Sequence, residues 1–173
     1  QNTIIVIPAR MAATRLPGKP MADIHGIPMI VHVWRRAIEA NVGRVLVAAA
    51  EIEIAEAIHD HGGDAIVTTP GLPSGTDRIA EALGLRDPGG QYRFVVNLQG
   101  DLPVIDPLSI QRCLAGLVNE SAAISTIAAA IDDPADVANP NIVKAIAPLS
   151  AEREVAFARD FVRTLGSQHA PPY

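Results

Sequence analysis

Three cations follow the first apolar segment of the chain. Arg10, Arg15 and Lys19 are the charged side chains of the first 22 residues, which contain no carboxylate, although the whole chain has a net charge of −5. They lie in a loop of small residues directly after the run 3–7. Backbone N–H groups of such a loop can approach a ligand closely, and three cations can offset several phosphate charges. A solvated basic loop is the alternative, but a position at a strand end favours a phosphate site.

The sequence of this loop differs from two common phosphate-binding motifs. Gly18-Lys19-Pro20 lacks the upstream glycine and the following Ser or Thr of a Walker A motif. The chain also contains no G-x-G-x-x-G dinucleotide fingerprint. The sequence therefore predicts a different way of holding a nucleotide.

A candidate metal ligand ends a later apolar segment, in Asn97-Leu98-Gln99-Gly100-Asp101. Mg²⁺ takes one or two protein carboxylates together with phosphate oxygens and water, so Asp101 suits it. Gly100 would let a ligand come near the backbone. The alternative is that Asp101 merely opens a turn before Pro103, and the residue alone does not decide between the two.

A third candidate segment is Ser74-Gly75-Thr76-Asp77-Arg78, which precedes a predicted helix. Free N–H groups at a helix start favour acceptors such as a phosphate or a pyrimidine carbonyl. Ordinary capping of the helix by Thr76 or Asp77 is the alternative, and both roles can hold together.

Alternating strands and helices would position these segments. We predict strands over residues 3–7, 44–49, 65–69, 93–98, 125–130 and 141–147, and helices over 29–40, 51–61, 76–85 and from 106 onward. Four alternations in about 100 residues predict an α/β fold with three layers (α/β/α) and a mainly parallel, Rossmann-like sheet. Ligands bind beyond the carboxyl ends of such strands, so the three segments are expected to meet.

Composition excludes several classes of function. An acidic chain with 3% aromatic residues lacks the basic field and the stacking side chains of a nucleic-acid-binding protein. No apolar stretch approaches the roughly 20 residues that span a bilayer. The single cysteine, Cys113, excludes an internal disulfide and a Cys-based zinc site. With no recognisable secretory signal, we expect a cytoplasmic protein with neither a nucleic-acid nor a membrane partner.

Five ordered motifs resemble those of the 3-deoxy-D-manno-octulosonate (KDO) cytidylyltransferases, nucleotidyltransferases of lipopolysaccharide biosynthesis. The motifs are Ile7-Pro8-Ala9-Arg10 through Arg15-Leu16-Pro17-Gly18-Lys19-Pro20, Met29-Ile30-Val31-His32-Val33, Ser74-Gly75-Thr76-Asp77-Arg78, Asn97-Leu98-Gln99-Gly100-Asp101 and Asn139-Pro140-Asn141. The resemblance runs to about Arg159 and implies a sheet of the nucleotide-diphospho-sugar transferase type.

The resemblance also implies a reaction and a set of site residues. CMP would be transferred from CTP to the anomeric hydroxyl of KDO, with release of pyrophosphate. Arg10, Lys19 and Asp101 would be catalytic, Asp101 would hold the Mg²⁺ cofactor, and Gln99 and Arg159 would contact the sugar acid. The implied nucleotide-binding residues are Pro8, Ala9, Arg10, Arg15, Lys19, Ser74, Gly75 and Arg78. A homodimer is expected on the same ground.

The chain departs from the family pattern in places. Family members usually continue past Tyr173 with a segment that supplies a second metal-binding carboxylate, so we expect residues 1–173 to form a single cytidylyltransferase domain lacking its C-terminal segment. Ala49-Ala50 and Leu102 stand where the family often has Thr-Asp and Glu. Two alternatives therefore stay open: a cytidylyltransferase for another sugar acid such as N-acylneuraminate, and a non-catalytic nucleotide-binding or dimerisation fragment.

Overall fold

The computed structural model describes residues 2–12, 17–119, 122–150 and 154–166. The chain divides into two compact units, Gln1–Ala115 and Gly116–Tyr173. That the two make up a single domain stays a prediction. Among the residues described, no helix combines the length and the apolar character needed to cross a membrane.

The first unit is built on a four-stranded parallel sheet. Its elements are β1 (Thr3–Ala9), β2 (Asp23–Ile24), β3 (Ile27–Pro28), α1 (Met29–Ala40), β4 (Arg44–Ala49), α2 (Ile52–Asp60), β5 (Ala65–Val67), α3 (Gly75–Arg86), β6 (Phe94–Asn97) and the start of α4 (Pro107–Asn119). The sheet order is β5-β4-β1-β6, and each neighbouring pair is parallel. The predicted parallel sheet is confirmed.

The central strand β1 is buried on both faces, as its continuous apolar run predicts. Ile5 and Ile7 belong to the larger core, which they share with buried side chains of α1, α2 and α4. Ile4 and Val6 face the other way and pack in a second core with Ile79 of α3. Helices therefore cover both faces of the sheet, which confirms the three-layer arrangement.

The end of α1 agrees with the predicted helix over 29–40. The helix ends at Asn41, whose φ of 51° is left-handed and which serves as the C-cap. Gly43, between α1 and β4, allows close packing, since a Cβ there would lie 2.1 Å from the carbonyl oxygen of Thr3. A short hairpin of β2 and β3 was not predicted. Its turn, His25-Gly26, has positive φ at both residues, which suits a tight two-residue hairpin.

The second unit holds α5 (Pro134–Ala138) and the antiparallel pair β7 (Lys144–Ile146) and β8 (Asp160–Val162). The predicted strand over 141–147 is therefore shorter than expected. The strand predicted over 125–130 is wrong, because within the described part of the chain no strand forms there. An apolar pattern becomes a strand only when a neighbour completes its hydrogen bonds, and Ile127 remains 48% exposed.

Candidate active site

A cavity of about 220 Å³ lies at the carboxyl end of β1 and collects the predicted segments from three crossovers. Its lining residues are Pro8, Ala9, Arg10, Lys19, Pro20, Met29, Ser74, Gly75, Arg78, Gln99, Gly100 and Asp101. The strand order thus brings the basic loop, the start of α3 and the end of β6 to one place. Arg15 lies outside the described residues. Arg159 belongs to the second unit, where its backbone N–H donates to Ile146 in the β7–β8 pair.

Two of these segments pack closely against Pro8. A Cβ at Gly100 would lie 2.8 Å from the Pro8 carbonyl oxygen, and one at Gly75 would lie 3.3 Å from the Pro8 ring. Gly100 therefore needs to be glycine for the two backbones to approach as they do, whereas the fit at Gly75 is tight. The basic loop is closed separately, by a 2.9 Å hydrogen bond from the Gly18 N–H to the Met11 carbonyl oxygen.

Replacing Gly100 by alanine should destabilise the chain, because the added methyl would overlap the Pro8 carbonyl oxygen. The expected loss is about 1–3 kcal/mol in the free energy of urea unfolding. Gly84→Ala in α3 is the matched control, since nothing lies within 4 Å of a Cβ there, and it should stabilise the helix by up to about 1 kcal/mol. A similar response of both variants would contradict the packing role of Gly100.

Lys19 and Asp101 meet across the cavity. Lys19 lies in a single 3₁₀ turn, Lys19–Met21, which follows Gly18 in a left-handed conformation with φ of 72°. Its Nζ is 3.0 Å from Asp101 Oδ2, and the two side chains are 34% and 53% exposed. The cation from the first crossover and the carboxylate after β6 therefore form an ion pair. Arg10 lines the same cavity and is exposed.

Glu51 is a further residue at this edge that the sequence did not single out. It occupies the N-cap position of α2, directly beyond β4, but its Oε2 accepts the Met11 N–H at 2.9 Å and makes no capping hydrogen bond to the helix. The Ala50 N–H donates to the Ala9 carbonyl oxygen at 2.9 Å beside it. These contacts tie the beginning of the basic loop to the end of β4. An acidic residue just past a parallel strand, at the edge where the other candidates gather, was the available signal.

Arg78 is only 2% exposed, although it lines the cavity. Its guanidinium donates to the Thr68 hydroxyl and, at 3.1 Å each, to the carbonyl oxygens of Thr69 and Pro70. Burial lowers the pKa of Arg78; Glu51 counteracts this, while nearby Arg10 adds to it. Several of its donors are thus already engaged, and its predicted contact with the nucleotide stays a prediction.

The start of α3 is capped by Ser74 and not by Thr76 or Asp77, the two residues considered for ordinary capping. The Ser74 Oγ accepts the Asp77 N–H at 3.2 Å and donates to Asp77 Oδ2 at 2.6 Å. The cap falls on Ser74 because the helix begins at Gly75, one residue earlier than predicted. Ser74 and Gly75 line the cavity, so the start of α3 lies beside it. That its N–H groups bind an acceptor of the ligand stays a prediction.

Gln99 is oriented by a neighbour on the same strand end. Its Nε2 donates to Asn97 Oδ1 at 2.7 Å, and both side chains are exposed. This contact leaves the Gln99 side-chain oxygen as an acceptor. The sequence indicated Gln99 but not the Asn97 contact that fixes its amide.

Asp101 fits a magnesium site in which substrate phosphates supply part of the metal coordination. It is the one carboxylate among the described residues that line the cavity. The described residues contain no group of three or more His, Cys, Asp and Glu side chains that could hold a metal. Mg²⁺ does not need such a cage, because it is often bound by one or two carboxylates, water and substrate phosphates.

Comparison with known proteins agrees with this geometry. A family model described as cytidylyltransferase matches residues 4–160. The chain belongs to the cytidylyltransferase family. The 3-deoxy-manno-octulosonate cytidylyltransferase of Parvibaculum lavamentivorans is 54% identical over 162 residues, which cover 94% of this chain and 62% of that protein. The enzyme of the same name from Paramagnetospirillum magneticum is 48% identical over 170 residues, which cover 98% of this chain and 69% of that protein.

A solved structure of CMP:2-keto-3-deoxy-manno-octonic acid synthetase complexed with CTP superposes with a TM-score of 0.76 at 35% identity. The match covers 95% of this chain and 65% of that one. The resemblance to KDO cytidylyltransferases inferred from the five motifs is confirmed, and so is the fold that it implied. This cytidylyltransferase chain spans about three fifths to seven tenths of the length of the curated relatives that it matches.

Proposed function

We propose that the chain transfers CMP from CTP to the anomeric hydroxyl of KDO and releases pyrophosphate. The observation that carries the proposal is the shared cavity, in which Arg10 and Lys19, the start of α3 and Asp101 meet at the carboxyl edge of the sheet. The relatives named for this reaction support the choice of substrates. The alternative of a different sugar acid has no such support.

The cavity offers two kinds of partner to CTP. Arg10 and Lys19, with Arg15 from the same loop, would bind the triphosphate through charge-assisted hydrogen bonds. The capped start of α3 at Ser74-Gly75 presents N–H groups, which would bind an acceptor of the cytosine ring. The nucleotide would thus lie along the edge of the sheet, between the first crossover and α3.

Transfer requires the KDO hydroxyl to attack the α-phosphorus as the bond to the β-phosphate breaks. Such steps depend mainly on alignment and on neutralising the charge that develops. Arg10 and Lys19 would stabilise the leaving pyrophosphate. Gln99, held by Asn97, would orient the sugar acid, and Arg159 would bind its carboxylate. No side chain is assigned as general base.

Asp101 would hold Mg²⁺, the proposed cofactor. When bound, this ion supplies charge neutralisation at the phosphates and lowers the pKa of the attacking hydroxyl. Because Asp101 Oδ2 is paired with Lys19, Mg²⁺ binding would require Lys19 to release this carboxylate oxygen. A role in lipopolysaccharide biosynthesis, a homodimer and a cytoplasmic location complete the proposal, by family resemblance.

Pyrophosphate release should be observed with CTP, Mg²⁺ and KDO, and should fall to background when N-acylneuraminate replaces KDO. Titration of CTP by calorimetry on the same preparation separates binding from turnover. Turnover with N-acylneuraminate in preference to KDO would overturn the assignment of the sugar acid. CTP binding with no turnover on either substrate would favour the non-catalytic nucleotide-binding fragment.

A further inference from the structure

Arg78 is a buried cation whose guanidinium is held by uncharged oxygen atoms. Its side chain is 2% exposed, and in the part of the chain that the structure describes no carboxylate lies within salt-bridge distance of it. Burying an unpaired charge is costly unless hydrogen bonds compensate. Here the compensation comes from the three oxygens of Thr68, Thr69 and Pro70. The guanidinium is therefore used to hold a piece of backbone.

Thr68 connects this guanidinium to the sheet. Its hydroxyl accepts from Arg78 and donates to the Ala49 carbonyl oxygen at 2.9 Å, and its backbone N–H donates to the same oxygen at 2.8 Å. Thr68 is 3% exposed. Because the hydroxyl is engaged both as donor and as acceptor, its orientation is fixed. The Thr68 hydroxyl oxygen thereby joins the end of β4, the residue after β5 and the first turn of α3.

A second side chain of α3 holds the same segment from the other side. Glu81, one turn beyond Arg78, accepts the backbone N–H and the hydroxyl of Thr69 at 3.0 Å each. Arg78 donates to the Thr69 carbonyl oxygen, and Glu81 accepts from the Thr69 N–H. The path from β5 to Ser74 is thus anchored at its beginning by α3 itself. Its other end, Ser74-Gly75, lines the cavity.

We propose that Thr68 and Arg78 are positioning residues for nucleotide selectivity, which act by holding residues 68–75 in place beside the base and not by contacting the triphosphate. The inference rests on the proposed function, since it takes Ser74-Gly75 as the place of the cytosine. A cytosine and a uracil ring differ in their donors and acceptors, and a site discriminates between them only when its own groups are fixed. A loosened segment would accept either ring.

Thr68→Val tests the proposal, because it removes the hydroxyl at nearly constant volume and leaves the charge of Arg78 unchanged. We expect CTP affinity to fall on the order of tenfold, and the preference for CTP over UTP to fall with it. Thr68→Ser keeps the hydroxyl and should keep both values near those of the parent. Arg78→Lys, which keeps the charge but loses the planar fork, should reproduce the loss of preference.

Hydrogen exchange in the nucleotide-free chain gives a readout that does not depend on CTP binding. The backbone amides of residues 69–75 should exchange faster in Thr68→Val than in the parent or in Thr68→Ser. Unchanged exchange, or unchanged CTP over UTP preference in both Thr68→Val and Arg78→Lys, would overturn the inference. Failure of the unmutated chain to bind CTP would instead contradict the proposed function, and the exchange experiment would still decide whether the segment is held.

Discussion

Asp101→Asn should abolish CMP transfer and leave the chain folded. Asparagine has nearly the same shape as aspartate but no charge, so the cavity would lose the one described carboxylate that could hold Mg²⁺. We expect the rate of pyrophosphate release from CTP and KDO to fall at least about a hundredfold, as on removal of a single electrostatic contact to a transition state. The side chain is 53% exposed, so the free energy of unfolding should change by less than about 1 kcal/mol.

Asp60→Asn is the matched control for the loss of one negative charge. Asp60 ends α2, where the neighbouring His59 contacts the Ala65 carbonyl oxygen at the start of β5. That places it at the amino edge of the sheet, opposite the cavity. The turnover of Asp60→Asn should equal that of the parent. Full activity of Asp101→Asn at saturating Mg²⁺ would remove Asp101 from the proposed metal site.

Lys19→Ala should weaken CTP binding by about ten- to a hundredfold, the range for a hydrogen bond to a charged group. The same variant should bind Mn²⁺ more tightly in the absence of nucleotide, because the Asp101 carboxylate loses its 3.0 Å partner. Calorimetry measures the first effect, and the spin-resonance signal of free Mn²⁺ measures the second. The two opposite shifts distinguish loss of a specific pair from general loss of structure.

Arg36→Ala controls for the removal of one positive charge. Arg36 pairs with Glu39 on the exposed side of α1, and it lies about 10 Å along the helix from Met29, which lines the cavity. CTP affinity should not change in this variant. Equal CTP affinity of Lys19→Ala and the parent would show that Lys19 does not bind phosphate, whatever the Mn²⁺ titration gives.

The elements that the sequence predicted well are those in which local pattern and global packing agree. The run 3–7 is a central strand because its side chains are apolar on both faces, and the spacing of Ile30, Val33 and Ala37 gives α1 its buried side. The sheet topology predicted that Lys19 and Asp101 would lie close together, because the carboxyl ends of parallel strands lie at the same edge of the sheet. The Glu51–Met11 and Thr68–Arg78 hydrogen bonds could not be predicted from the sequence, because they depend on how far side chains reach between separate segments.

The failures have equally local causes. Residues 125–130 carry a strand-like composition, but a strand exists only with a hydrogen-bonded neighbour, and pattern does not specify that neighbour. The hairpin of β2 and β3 is set by the backbone conformation of His25-Gly26, with two residues on each side. Four residues are too few to show an alternating pattern.

The contacts of Pro8 limit where the substrate range of this scaffold can be changed. A side chain at Gly100 would displace the Pro8 backbone, and one at Gly75 would require the Pro8 ring to shift by a few tenths of an ångström. A change of the proposed substrate range would therefore begin at exposed positions near these glycines, such as Thr76 and Leu102.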